Sequence, residues 1–374
     1  MAEDDIYRRL QRHLDRMPIP FPATESGVEL RILKELFSPA DARVALALSM
    51  IAERPEAVHR RMRREMTLEQ VREMLERMAD RGLITRLPGR VARYAKSPFV
   101  VGFYEAQVNR LTEAFERDVL QYRDEAFGAG FHSAKTPQVR TVPVNRPMPA
   151  PSRPVARYDD MAEFVRSSKG PFAAMNCICK QGQDVVSEPC RATTTREHCM
   201  TFGEAAKIVV GRGAARFVSR DETLAIIERA DRDGLVLQPE NTRSPLFLCC
   251  CCGCCCGVLK TAKKFPRPAE ILSTAYHAEL DEAECQQCGT CVGRCRMEAV
   301  SVDAGPAAVD LGRCIGCGLC VSTCPSGAMR LVPNDHVEVP PADTMRLYAR
   351  IFRNRYGSLG LAAAVGRKML GLKT

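Results

Sequence analysis

Two runs of cysteines near the carboxyl end of this 374-residue chain share the spacing C-x2-C-x2-C-x3-C. Their members are Cys285, Cys288, Cys291 and Cys295 in the first run, and Cys314, Cys317, Cys320 and Cys324 in the second. Thiolates separated by two intervening residues can bind three corners of an iron–sulfur cubane. The fourth cysteine of each run is suited to bind the other cluster. The spacing therefore predicts two 4Fe-4S clusters and single-electron transfer.

The neighbouring residues fit this chemistry. Glycines at 289, 293, 316 and 318 leave room for backbone amides to approach an anionic cluster, and short strand-like stretches follow at 299–302 and 328–331. Residues 283–332 thus resemble the bacterial two-cluster ferredoxin domain. The resemblance implies crossed ligation, with cluster I on Cys285, Cys288, Cys291 and Cys324, and cluster II on Cys314, Cys317, Cys320 and Cys295.

One residue departs from the ferredoxin pattern. The family has proline after the fourth cysteine of both runs, whereas here Pro325 follows Cys324 but Arg296 follows Cys295. A cation beside the cluster would favour its reduced form. A disulfide scaffold or a pair of zinc knuckles would explain the tandem spacing less well.

Eleven further cysteines lie in the middle of the chain and form a candidate additional metal site. They are Cys177, Cys179, Cys190, Cys199, Cys249, Cys250, Cys251, Cys252, Cys254, Cys255 and Cys256. Three interpretations stay open. The cysteines could bind a third iron–sulfur cluster or another redox metal, Cys177, Cys179, Cys190 and Cys199 could bind a structural Zn ion, or the cysteines could be buried free thiols or thiols that cycle to a disulfide. Their convergence on one site is an inference from the compact domain that we expect around them.

The block Cys177-x-Cys179 and the cysteine tract at 249–256 together also resemble a family of prokaryotic 4Fe-4S dicluster-domain proteins. That family does not indicate a substrate. Gly211-Arg212-Gly213 is too short for a dinucleotide or phosphate loop, so flavin or nicotinamide chemistry would need another chain. We expect an electron carrier or oxidoreductase subunit. Catalysis at the middle cysteines is a further hypothesis, and the catalytic residues are not identified.

The first 132 residues lack cysteine and are predicted to be helical, with capping signals at Ser38-Pro39 and Thr67-x-x-Gln70 and a hairpin near 83–94. This order weakly resembles a winged helix-turn-helix over residues 28–96. A redox-responsive DNA-binding regulator is therefore the alternative function. The net charge of −1 between Thr67 and Arg81 argues against groove binding. A long helix is predicted for 103–127.

Composition shifts divide the rest of the chain. Prolines between 133 and 156 predict a linker, followed by a cysteine-rich α/β domain at 157–280, the two-cluster ferredoxin domain at 281–333 and a basic helical tail at 334–374. The predicted fold class is α+β. Asp343 is expected to cap a tail helix that could dock an acidic partner, contact an anionic membrane peripherally or pack on its own chain.

The composition limits the possible cellular locations and binding partners of the protein. The start of the chain is acidic and no run of about 18 apolar residues occurs, so we expect neither a secretory signal nor a transmembrane segment. Cysteines confined to blocks argue against a secreted disulfide protein and favour a cytoplasmic location. The net charge of +9 permits redox partner proteins, nucleic acid or anionic lipid and selects none of them.

Overall fold

The computed structural model describes residues 3–144, 159–303, 305–335 and 337–374. It divides into two compact units: the first contains residues 1–134 and 348–374, and the second contains residues 135–347. The mixture of helices and strands agrees with the predicted α+β class. Within the described ranges, every helix is too short or too polar to cross a lipid bilayer.

The first unit is mainly helical. Its helices are α1 (Glu3–Asp15), α2 (Val28–Leu36), α3 (Pro39–Ala47), α4 (Pro55–Met62), α5 (Leu68–Asp80), α6 (Glu113–Tyr122) and α7 (Gly128–His132). Strands β1 (Ile84–Leu87) and β2 (Arg93–Lys96) form an antiparallel hairpin. Ser38 and Thr67 form the capping boxes that the sequence predicted. The hairpin directly follows α5, but the winged-helix assignment stays a prediction.

The prediction of a single helix over residues 103–127 is wrong. The chain instead makes short turns at Phe99–Phe103 and Glu105–Gln107 before α6 begins. Asn109 adopts a left-handed backbone conformation (φ 66°), and the Thr112 side chain accepts a hydrogen bond from the Phe115 amide to start a new helix. Val108 therefore lies before the helix that carries Phe115, Val119 and Tyr122, and all four side chains are buried.

The last helix, α16 (Thr344–Met369), is interrupted at Gly357 (φ 74°). The Arg346 amide donates to the Asp343 carboxylate at 2.9 Å, so the predicted N-cap is observed. Beyond Gly357, Lys373 donates to the Leu46 carbonyl at 2.8 Å and Lys368 lies 3.6 Å from the Glu53 carboxylate. These tail cations are thus engaged within the first unit, and membrane or partner docking stays a prediction.

The second unit contains an antiparallel five-stranded sheet in the order β6-β4-β5-β8-β7. After β3 (Arg140–Thr141), its strands are β4 (Phe172–Asn176), β5 (Glu197–Phe202), β6 (Arg216–Val218), β7 (Val236–Pro239) and β8 (Phe247–Cys251). The helices around it are α8 (Met161–Ser167), α9 (Ile178–Val185), α10 (Glu204–Gly211), α11 (Arg220–Arg232), α12 (Gly257–Ala262) and α13 (Pro268–Ile271). The Ser219 side chain accepts a hydrogen bond from the Glu222 amide and caps α11.

The two cysteine runs form a smaller substructure of the second unit. Its elements are β9 (Ser273–Thr274), β10 (Tyr276–Leu280), α14 (Thr290–Arg294), β11 (Val300–Ser301), β12 (Ala308–Val309), α15 (Leu319–Ser322) and β13 (Met329–Pro333). Strand β10 pairs with β13, and β11 pairs with β12. Each run therefore continues through a short helix into a strand, which agrees with the predicted order of elements.

Part of the predicted linker has another structure. Val142 and Val144 are buried, and Arg140 forms a buried ion pair with Asp159 at 3.1 Å. Residues 135–144 therefore pack in the second unit instead of forming an extended linker, and the remainder of the predicted linker falls in the range 145–158, outside the described residues.

Candidate iron–sulfur and metal centres

The eight cysteines of the two runs line two separate cavities. We call them the outer cavity, which contains Cys285, Cys288, Cys291 and Cys324, and the inner cavity, which contains Cys295, Cys314, Cys317 and Cys320. Each cavity takes three cysteines from one run and the fourth from the other. Each cavity therefore groups the four cysteines that the ferredoxin resemblance implied as one ligand set, and such a set would suit a cluster bound by four thiolates. Ligation of two clusters stays a prediction.

The inner cavity is the more buried of the two. The Ala278 amide donates to Cys314 Sγ at 3.3 Å, and the Ala299 amide donates to Cys295 Sγ at 3.2 Å. Burial raises the pKa of the Cys317 thiol to about 12 and also raises the pKa of Cys320. Bare thiolates are therefore unfavourable here, and a bound cation would compensate their charge.

The outer cavity faces solvent. Cys288 is exposed, and its thiol lies 3.4 Å from Thr290 Oγ1 in a contact that lowers the Cys288 pKa. The Met329 amide approaches Cys324 Sγ at 3.5 Å. The two cavities thus share their type of amide–sulfur contact but differ in access to water, a difference that affects both cluster potential and cluster lifetime.

The Arg296 side chain is engaged at the carboxyl end of α11. Its guanidinium group hydrogen-bonds the carbonyls of Gly234 and Asp233, and Arg294 likewise binds the carbonyls of Asp231 and Arg232. Both cations satisfy carbonyl groups at the carboxyl end of α11, where positive charge is favourable. An effect of Arg296 on the potential of a nearby cluster stays a prediction.

The comparison with protein-family models gives a match within this substructure. Residues 307–330 match the 4Fe-4S binding domain. This part of the chain is an iron–sulfur domain. The matched residues contain Cys314, Cys317, Cys320 and Cys324, whereas the first run lies before them. Searches of curated proteins and of solved structures gave no significant match.

Ten of the eleven middle cysteines separate into two groups. Members of the four-thiol group lie in the loop before β5 and in the turn after β8, and all their sulfur atoms are within 4.8 Å of one another: Cys190, Cys252, Cys254 and Cys255. The sequence had placed Cys190 with Cys177, Cys179 and Cys199 as one candidate zinc site. Among the described residues, those three cysteines do not belong to this compact group.

We call the second set the six-thiol group, and its members are Cys177, Cys179, Cys199, Cys249, Cys251 and Cys256. Strand pairing places Cys199 opposite Cys249, and alternation along β8 puts Cys251 on the same side of the sheet. The Cys249 thiol contacts those of Cys199 and Cys251, while Cys177 contacts Cys179. Cys250 points to the other side, and burial raises its pKa to about 12.

A buried lysine accompanies these thiols. Lys180 on α9 is 1% exposed, and its Nζ donates to the Cys250 carbonyl at 3.1 Å. Burial alone would lower its pKa, but Cys177, Cys250, Cys251 and Cys252 lie close enough to raise it instead. A charged lysine at this position would be suited to balance thiolates or an anionic metal centre. Its burial depends on contact with β8, which the sequence alone does not reveal.

Proposed function

We propose that this protein is an iron–sulfur electron-transfer protein, or the electron-transfer subunit of a redox complex. Two 4Fe-4S clusters in the outer and inner cavities would pass single electrons to or from a further metal or cluster centre at the six-thiol group. The observation that carries the proposal is that each cavity collects four cysteines from both runs. Clusters held in this way supply reversible one-electron chemistry.

The protein's own contribution is burial and hydrogen bonding. Amides of Ala278 and Ala299 donate to sulfur atoms of the inner cavity, which stabilises negative charge there. The outer cavity exposes Cys288 and so offers a redox partner a route to its contents. A partner would therefore exchange electrons with the outer cavity, and the inner cavity would connect to the interior of the second unit.

Packing supports a continuation from the inner cavity to the middle cysteines. Cys295, Cys314 and Cys317 pack against the same hydrophobic core that includes Cys251 and Cys256 of the six-thiol group. The contact is closest at Gly253, where an added Cβ would lie 2.5 Å from the Arg296 carbonyl oxygen. The residue after Cys295 therefore touches the cysteine tract directly, and no solvent layer separates the two at this point.

Anaerobic metal analysis tests the proposal. Protein reconstituted with iron and sulfide should contain at least about eight iron atoms and eight sulfides per chain, because two cubanes require that number. A variant with alanine at Cys285, Cys288, Cys314 and Cys317 provides the control and should bind neither cluster. Wild-type protein that retains fewer than about eight iron atoms would contradict the proposal.

We expect the cluster in the outer cavity to be lost first on brief exposure to air or to an iron chelator. Cys288 is exposed, whereas Cys320 in the inner cavity is 8% exposed. Oxidants and chelators reach an exposed thiolate more readily. Iron counts and EPR spectra taken during exposure should pass through a state with one cluster, whose spectrum matches that of a Cys288→Ala variant. Simultaneous loss of both clusters would contradict the predicted order.

The alternative function is a DNA-binding regulator, and the contacts of α5 weigh against it. Arg77 and Arg81 both pair with the Asp41 carboxylate, at 3.1 and 3.0 Å, and Arg72 pairs with Glu56 at 2.6 Å. These guanidinium groups are committed within the first unit. We therefore expect no change in the fluorescence anisotropy of labelled duplex DNA even at low salt. Binding that weakens as salt rises would favour the regulator instead.

A further inference from the structure

The four-thiol group has a spacing that differs from that of the cluster cavities. Its Cys190 sulfur lies 3.6 Å from that of Cys252 and 3.8 Å from that of Cys254, and the Cys254 and Cys255 sulfurs are 3.7 Å apart. Four sulfurs around one ion at a metal–sulfur distance of about 2.3 Å form a tetrahedron with edges of about 3.8 Å. The observed separations therefore match a single ion.

The same chain provides an internal comparison. Thiolates around a cubane each bind a different iron atom, so they must lie farther apart than thiolates around one ion. Neither cluster cavity has three thiols that all lie within 4.8 Å of one another, and in the described part of the chain the four-thiol group alone has this spacing among cysteine, histidine and acidic residues. A cubane would fit between these four sulfur atoms only if they moved farther apart.

We propose that Cys190, Cys252, Cys254 and Cys255 bind one zinc ion. Four thiolates complete a tetrahedron and leave no position for substrate, which is typical of a structural zinc site. This assignment is independent of the two cavities and of the electron-transfer proposal. It also differs from the zinc site that the sequence suggested, because three ligands come from the tract after β8.

Local structure explains how the ligands converge. Cys252, Cys254 and Cys255 occupy a tight turn after β8, and the fourth ligand comes from residues 186–196, which contain no helix or strand. The ion would cross-link this irregular segment to the sheet. Gly253 permits the turn to pack against the Arg296 backbone, since a side chain there would collide with the carbonyl oxygen.

The surrounding charges suit a tetrathiolate zinc centre, which carries a net charge of −2. Lys180 interacts electrostatically with Cys252, and Arg196 interacts with Cys190 and Cys255. Arg196 is held in place by the carboxylate of Asp184, with which it makes two hydrogen bonds. Two cations therefore lie near the four sulfurs, and the buried Lys180 compensates part of the negative charge.

Zinc analysis and X-ray absorption of the full-length protein, purified anaerobically, test this assignment. We expect about one zinc per chain, with about four sulfur neighbours near 2.3 Å and no nearby second metal. This measurement needs no substitution and so does not depend on the folding of a variant. The assignment would be overturned if the protein contained no zinc or held iron at this site. It would also be overturned if the zinc had nitrogen or oxygen ligands or lay a short distance from a second metal.

A matched pair of variants assigns the signal to the four-thiol group. Cys254→Ala should lower the zinc content at least about tenfold, because three thiolates leave the tetrahedron incomplete. Cys250→Ala alters the same tract outside the group and should retain zinc. Equal zinc contents in the two variants would overturn the assignment. Iron and EPR measurements on the same samples report separately on the outer and inner cavities, so the two proposals can fail independently.

Discussion

Replacement of Gly316 by alanine is expected to prevent normal assembly of the inner cavity. Gly316 lies between Cys314 and Cys317 with a left-handed backbone conformation (φ 60°). An added Cβ would overlap the Tyr276 carbonyl and lie 2.8 Å from Thr274 Oγ1. Backbone strain and this overlap should together cost at least about 3 kcal/mol. We expect lower soluble yield and loss of about half of the bound iron per chain.

The first cysteine run contains a natural control for this substitution. Gln287 occupies the corresponding position between Cys285 and Cys288, with a similar backbone conformation (φ 53°), and its side chain is exposed. Gln287→Ala should therefore leave iron content unchanged and alter stability by less than about 0.5 kcal/mol. Equal iron contents in Gly316→Ala and wild-type protein would contradict the predicted close packing against Tyr276.

Replacement of Cys295 by alanine is expected to remove the cluster of the inner cavity while that of the outer cavity remains. Cys295 belongs by sequence to the first run, but it lines the cavity of Cys314, Cys317 and Cys320. Loss of one thiolate ligand should therefore reduce bound iron from about eight to about four atoms per chain. Cys324→Ala should give the same count through loss of the other cluster.

Double variants distinguish crossed from uncrossed ligation. With crossed ligation, Cys295→Ala combined with Cys317→Ala affects one cluster and retains about four iron atoms, whereas Cys295→Ala combined with Cys285→Ala removes both. Ligation within each run predicts the opposite pair of results. Iron and sulfide counts on the anaerobic proteins provide the readout, and that opposite pattern would refute the assignment to the two cavities.

Local signals in the sequence predicted many features of the fold. Ser38, Thr67 and Ser219 begin helices because their side chains cap amide groups within three residues, an interaction that is visible in the sequence alone. The short strand that follows each cysteine run was also predicted. The family match to residues 307–330 supports 4Fe-4S binding there. The two-cluster arrangement stays a proposal.

Features that depend on strand pairing were not predictable in the same way. The separation of Cys190 from Cys199 follows from the antiparallel pairing of β5 with β8, which places Cys249 opposite Cys199. Spacing alone could not reveal this register, because eight residues between two cysteines allow many arrangements. The direction of Arg296 likewise depends on carbonyls at the end of α11, more than 60 residues away in sequence.

EPR-monitored redox titration of the anaerobic wild-type protein tests the central claim most directly. If the outer and inner cavities hold two 4Fe-4S clusters, reduction should produce two one-electron signals that together account for two spins per chain. Cys295→Ala should retain one of these signals and Cys324→Ala the other. A protein that contains iron and sulfide but shows only one such signal, or none, at full reduction would contradict the account.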